Sequence, residues 1–277
     1  MDSDDVPQGI DLDRPNAARA YDWALGGTAN WAMDRQYGEQ ALKAYPGLRK
    51  AARANRAFLG RAVRYCVENG ITQFLDLGSG VPTMGNVHEI ADNLDENSRC
   101  VYVDIEPVAV AHSRVLLEES GDPERHAVVH ADLCHAHEVW EAAMATGVLD
   151  PEKPIGLLTV AVLHFLPDAT GVREAIRDYR ALVAPGSLYV VSSVTTSGIG
   201  ENEQGQLDKL AEVSKKSSTP GVLRSQEEIT AFLGDFELVE PGLVPVGQWR
   251  PDEPDAKDAA IKTAIGGVAR KPGRRDG

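Results

Sequence analysis

From residue 17 to residue 67, apolar positions recur three or four apart between charged ones, the spacing of helices that bury one face. Three helices are expected there. The first covers 17–25, capped by Asp13 or Asn16 and ended by Gly26-Gly27. The second covers 31–43 and stops at Pro46-Gly47; the third covers 48–68 and closes at Asn69-Gly70. Beyond Gly70 the pattern changes to short apolar runs at 73–77, 99–104, 127–130, 155–163 and 187–194, with two more expected at 236–246 and 267–270. Helical stretches separate the first five, at 86–94, 108–119, 139–145 and 172–183. Strands apolar on both faces and alternating with helices specify a doubly wound, mostly parallel sheet covered on both sides. The segment 195–228 breaks the alternation. It is rich in Ser, Glu and Lys and reads as a mobile insertion with a helix at 202–215 and a short one at 226–233.

Composition narrows the partners. Of 277 residues, 42 are Asp or Glu and 28 are Lys or Arg, a formal net charge of −14. Such a chain repels polyanions, and its one basic cluster, Arg270-Lys271-Pro272-Gly273-Arg274-Arg275, reads as a solvated tail, so no nucleic-acid partner is expected. Three cysteines, Cys66, Cys100 and Cys134, form no disulfide framework and fit a reducing cytoplasm. The acidic start, Met1 to Asp5, has no apolar stretch and is no secretory signal. The run 157–166 is too short to cross a bilayer, and Thr159 and His164 interrupt it, so no membrane partner is expected. The organisation expected is a disordered lead over 1–13, a helical lid over 14–69 and a sheet domain over 70–272.

The sharpest chemical signal is Asp76-Leu77-Gly78-Ser79-Gly80 at the end of the first strand. Glycines there let the backbone turn tightly and approach a ligand. Asp104 ends the second strand, where a carboxylate can accept hydrogen bonds from both ribose hydroxyls. Asp132 follows the third strand, within reach of an adenine amino group. Each alone reads as a turn or a helix cap; the three together converge on the sheet edge where open α/β folds bind ligands. A dinucleotide is disfavoured. Thr83 stands where its fingerprint has a third glycine, Pro82 removes an amide donor, and Asp76 repels a diphosphate. A ligand with ribose, adenine, an α-ammonium and no phosphate fits better, which describes S-adenosylmethionine.

The series FLDLGSG, VYVDIEP, HADL and LLTVAVLHFLP resembles class I S-adenosylmethionine-dependent methyltransferases. RAYDWALGG with Asn30, Asp34 and Arg35, then RANRAFL, GVPT, NVHE, VEPGLV and WRP, resemble one bacterial family within that class over roughly residues 10–272. The resemblance implies a Rossmann-like seven-stranded sheet with an antiparallel last strand. It assigns Asp76, Gly78 and Gly80 to the methionine part, Asp104 to the ribose, and Asp132 and Leu133 to the adenine, with Ser79 and Ile105 also cofactor-binding. It also suggests that the N-terminal helices close over the cofactor, with Tyr21 and Asn30 contributing from the lid. Arg53, Asn55 and Arg56 are candidates for the cofactor carboxylate, with Arg53 and Arg56 three apart on one helix face.

Methyl transfer needs a base only where the acceptor must lose a proton early. His164, after the fourth strand, is the candidate, with His88 second; each also reads as a histidine satisfied by its surroundings. His130, Cys134, His135 and His137 lie close together but lack paired zinc spacing, so no metal is expected. The function expected is S-adenosylmethionine-dependent methyl transfer to a small molecule. The alternatives are a non-catalytic binding protein without an acceptor pocket, and a nicotinamide-dependent reductase.

Overall fold

The computed structural model describes residues 13–81, 85–253 and 261–273. The lead before Asp13, Pro82 and Thr83, and Arg274 and Arg275 of the tail lie outside the described residues.

Three helices come first, α1 (Ala17–Leu25), α2 (Ala32–Ala44) and α3 (Leu48–Glu68). The Asn16 side chain accepts the Ala18 N–H at 2.7 Å and starts α1. Gly26, at φ 93°, ends it in the left-handed conformation. The alternation follows: β1 (Gln73–Leu77), α4 (Val87–Asp92), β2 (Arg99–Asp104), α5 (Pro107–Ser120), β3 (His126–His130), α6 (Ala136–Ala145), β4 (Gly156–Val160), α7 (Val172–Leu182) and β5 (Leu188–Val194). The chain ends with α8 (Glu201–Ser214), α9 (Gln226–Thr230), β6 (Glu237–Leu238), β7 (Val244–Pro245) and β8 (Ala264–Arg270).

The sheet order is β3-β2-β1-β4-β5-β8, with β6 and β7 both paired to the far side of β8. Strands β1 to β5 are parallel and β8 runs antiparallel to β5. Counting β6 and β7 as one edge position gives seven, the expected Rossmann-like arrangement with its last strand antiparallel. Two strand expectations need correction. The 236–246 run is divided by a turn through Pro241 and Gly242, where Gly242 has φ 90°. The 155–163 run ends at Val160, because Ala161 takes φ 58° and Leu163–Phe165 forms a 3-10 turn.

Side chains alternate across each strand, so the sheet builds two cores. Phe74, Cys100, Leu158 and Val190 pack beneath Phe58, Leu59 and Ala62 of α3. Leu75, Leu77, Val101 and Val191 pack beneath Val139 of α6 and Ile176 and Tyr179 of α7. The N-terminal helices and the 195–228 segment meet above the sheet edge. Helix α2 packs on both α1 and α8. Ser218 N donates to Pro15 O at 2.9 Å, Ala17 N donates to Thr219 Oγ1 at 3.0 Å, and Lys216 Nζ donates to Gln40 Oε1 at 3.0 Å.

Candidate active site

The connections out of β1 and β4 run in opposite directions along the sheet, which makes this pair the topological switch point where such folds hold ligands. The loops after the two strands touch. Gly78 has φ +72°, and a Cβ there would stand 2.4 Å from Val162 Cγ2, so geometry and space both demand glycine. Gly78 and Ser79 donate their N–H groups to Val103 O at 2.8 and 3.1 Å. Gly80 N donates to Asp104 Oδ2 at 2.7 Å, and Glu106 N donates to Asp104 Oδ1 at 2.8 Å. Asp104 thereby ties the glycine loop to the end of β2. Each of its oxygens keeps lone-pair capacity for a further donor.

Burial pushes the Asp104 carboxyl above its ordinary value, against the pull of these backbone donors. Asp76 is pushed up to about 7; burial dominates, the Arg56 guanidinium opposes it and Asp104 adds to it. Arg56 also donates from Nη2 to Asn86 Oδ1 at 3.0 Å. Arg56, Asp76, Gly78, Gly80 and Asp104 line a cavity of about 140 Å³ together with Ser79, Ile105, Glu106, Asp132, Leu133 and Tyr21. Leu133 is buried and Ile105 is 57% exposed, an apolar surface at the cavity rim. Asp132 Oδ1 accepts the Cys134 N–H at 2.9 Å.

Two expected residues lie elsewhere. Asn30 donates from Nδ2 to Asp22 Oδ2 at 2.7 Å and to Gly27 O at 2.9 Å, and does not line this cavity. Arg53 is exposed and does not line it either. The four-residue His/Cys set is also dispersed. His130 Nε2 is 3.0 Å from Ile105 O, Cys134 meets Thr170, His135 stands beside Glu138, and His137 stands beside Asp178.

A second cavity, about 150 Å³, shares Ala17, Tyr21, Asn55, Ala161 and Phe165 with the first. Hydrogen bonds fix this common wall. Ala161 N donates to Ser192 Oγ at 3.0 Å, and Ser192 Oγ donates to Asn55 Oδ1 at 2.6 Å. Asn55 Nδ2 donates to Tyr21 OH at 3.1 Å, and Tyr21 OH donates to Ala52 O at 3.0 Å. Such a chain orients every member of the wall. Ala161 is a non-glycine residue with positive φ at this junction, a strained backbone of the kind that clusters at functional sites.

His164 lines the second cavity, not the first. Its Nδ1 lies 3.4 Å from Val194 N and 3.5 Å from Ser193 Oγ. Accepting the Val194 N–H requires an unprotonated Nδ1, so the neutral ring carries its proton on Nε2. Burial, with Arg224 beside it, lowers the imidazole to about 4. In this state His164 is a hydrogen-bond donor and a weak base. His88 is buried against Tyr102, with Nδ1 2.7 Å from Tyr102 OH, and lines neither cavity.

Sequence reading missed Glu106 and the role of Arg19. Arg19 is fully buried, with Nε 2.9 Å from Asp34 Oδ2 and Nη1 2.8 Å from Glu106 Oε1. Its guanidinium also lies over the Trp31 ring at 4.7 Å. Glu106 lines the first cavity, so this group joins α1 and α2 to the cavity wall. The signal was present in VYVDIEP and RAYDWALGG, but pairing residues 87 positions apart needs the fold.

The S-adenosyl methyltransferase family profile matches residues 3–272. A candidate methyltransferase from Thermobifida fusca YX, known by its crystal structure, shares 38% identity, with 96% of this chain and 98% of that chain covered and a TM-score of 0.86. A DUF574-family protein from Streptomyces avermitilis MA-4680 shares 34% identity over 94% of this chain and 98% of that one, with a TM-score of 0.85. The mitomycin 7-O-methyltransferase MmcR shares the fold at 16% identity, with 91% and 67% of the two chains covered and a TM-score of 0.53. Comparison with curated protein sequences finds no match. With its parallel sheet, its glycine loop at the switch point and a match along nearly the whole chain, the protein belongs to the S-adenosyl methyltransferase family and is a methyltransferase by fold and family.

Proposed function

We propose that the first cavity holds S-adenosylmethionine and that the chain transfers its methyl group to a small-molecule acceptor in the second. The observation that carries this is the pair of cavities with one common wall, one lined by charged groups and the other, among the described residues, by none. The donor set fits the cofactor. Asp76, a buried carboxyl held near 7, suits an ammonium partner, and Arg56 suits a carboxylate. Asp104 with Glu106 would take the ribose hydroxyls; Asp132, Ile105 and Leu133 would take the adenine. When bound, the cofactor supplies an electrophilic methyl on a sulfonium.

The chain's own part is positioning and exclusion of water. Tyr21, Asn55 and Ser192 hold the wall between the cavities. The left-handed turn at Ala161 seats Val162 against Gly78. Helices α1, α2 and α8 roof the second cavity, so an acceptor there loses water. His164, neutral and protonated on Nε2, orients an acceptor atom by donation. The net charge of −14 and the three free cysteines support a soluble small molecule met in the cytoplasm as acceptor, not a nucleic acid. A purely cofactor-binding protein would have no use for the second cavity.

Asp104→Ala tests the assignment. Hydrogen bonds to a charged acceptor contribute about 1.5–3 kcal/mol, so S-adenosylhomocysteine binding should weaken roughly 10- to 100-fold by titration calorimetry. Wild-type affinity in a folded Asp104→Ala protein contradicts the site.

A further inference from the structure

We propose that the second cavity takes an uncharged, mainly apolar acceptor built on one small ring system, monocyclic or fused, and discriminates against charged molecules of the same size. The inference rests on the cofactor reading above and adds the chemistry of the acceptor.

Among the described residues, no Asp, Glu, Lys or Arg lines this cavity, whereas Arg56, Asp76, Asp104, Glu106 and Asp132 all line its neighbour. The room comes from small side chains: Ala20 and Ala24 on α1, Ala41 on α2, and Ala51 on α3. Aromatic rings of Tyr21, Tyr37, Tyr45 and Phe165 complete the wall. Most polar groups of the lining are engaged with one another. Tyr45 OH meets Thr263 Oγ1 at 2.6 Å, and Ser214 Oγ donates to Ala211 O and accepts Gly221 N–H. Tyr21, Asn55 and Ser192 are occupied in the wall described above. Tyr37 OH and the Nε2–H of His164 are left to meet a ligand's polar atom, and both groups are uncharged at neutral pH.

A charge moved into such surroundings loses its hydration and gains no partner. An apolar ring loses nothing and gains contact along the alanine and tyrosine walls. The volume of about 150 Å³ sets the scale, since a cavity of about that size accepts benzene. One or two polar substituents are addressed by the two remaining groups, and the rest of the acceptor must be apolar.

The test uses the full chain saturated with S-adenosylhomocysteine and four ring-sized probes read by saturation-transfer NMR: phenol, indole, benzoate and benzylammonium. Phenol and indole should bind about tenfold or more tightly than benzoate and benzylammonium. Ala24→Leu and Leu210→Trp fill this cavity from α1 and α8, and neither position lines the first. Each variant should abolish phenol and indole binding and leave S-adenosylhomocysteine affinity unchanged. Ala24 is buried and Leu210 only half-buried, so the second variant keeps the test available if the first fails to fold. Equal binding of a charged probe, no binding of phenol or indole, or probe binding unaffected by Leu210→Trp would overturn the proposal. If S-adenosylhomocysteine itself fails to bind, the cofactor reading falls, and the same probes without it still decide the character of the cavity.

Discussion

Asp76 is the residue at which charge and ligand meet. Its carboxyl is buried at the first cavity and pushed from an ordinary 3.8 up to about 7. Between those values the folded chain keeps a proton that the unfolded chain has lost. Asp76 therefore makes folding stability fall as pH rises from about 4 to about 7. A cationic ligand beside Asp76 favours the carboxylate and displaces that proton. S-adenosylmethionine binding at pH 6 should then release close to one proton, seen by calorimetry in two buffers of different ionisation heat. Affinity should rise with pH up to about 7, and Asp76→Asn should remove both effects. Proton release that persists in Asp76→Asn contradicts the role given to Asp76. His164 shows the converse case. Its place after the fourth strand made it the candidate base, but burial lowers it to about 4, so it should give no inflection near 6.5 in a pH–rate profile.

At the scale of elements, the joint between the N-terminal helices and the sheet is the Arg19 group. Arg19 carries two buried acidic partners, Asp34 in α2 and Glu106 just before α5. Breaking a buried ionic group by removing one member costs about 3–5 kcal/mol, because the charges left behind stay buried. Arg19→Met should lower unfolding stability by about that amount in urea and should also weaken cofactor binding through Glu106. A loss below about 1 kcal/mol would show that the helices are not fastened here. The helices themselves were legible in sequence: 17–25 and 48–68 match α1 and α3, since Asn16, Gly26 and Gly70 punctuate them locally. The core strands were legible because each is apolar on both faces. Ala161 was not, since nothing local marks an alanine for positive φ; its backbone is set by Ser192 on β5. Arg53 and Arg56 show the limit of spacing. Three residues turn a helix by about 300°, some 60° short of a full turn, enough to put Arg56 at the cavity and Arg53 in solvent.

Across the whole molecule, charge is sorted rather than spread. In a chain of net charge −14, the buried carboxyls of Asp76, Asp104 and Glu106 line one cavity, and among the described residues no formal charge lines the next. The strand-end aspartates were readable because sheet topology brings successive strand ends to one edge. The second cavity was not, because it is assembled from α1, α2, α3, α8 and the loops after β4 and β5, elements far apart in sequence. The most direct test of the account is titration calorimetry of the full chain with S-adenosylmethionine, S-adenosylhomocysteine and NADH. The account predicts binding of both adenosyl-sulfur ligands and none of NADH. Failure of the first two to bind, or binding of NADH in the same cavity, would contradict it.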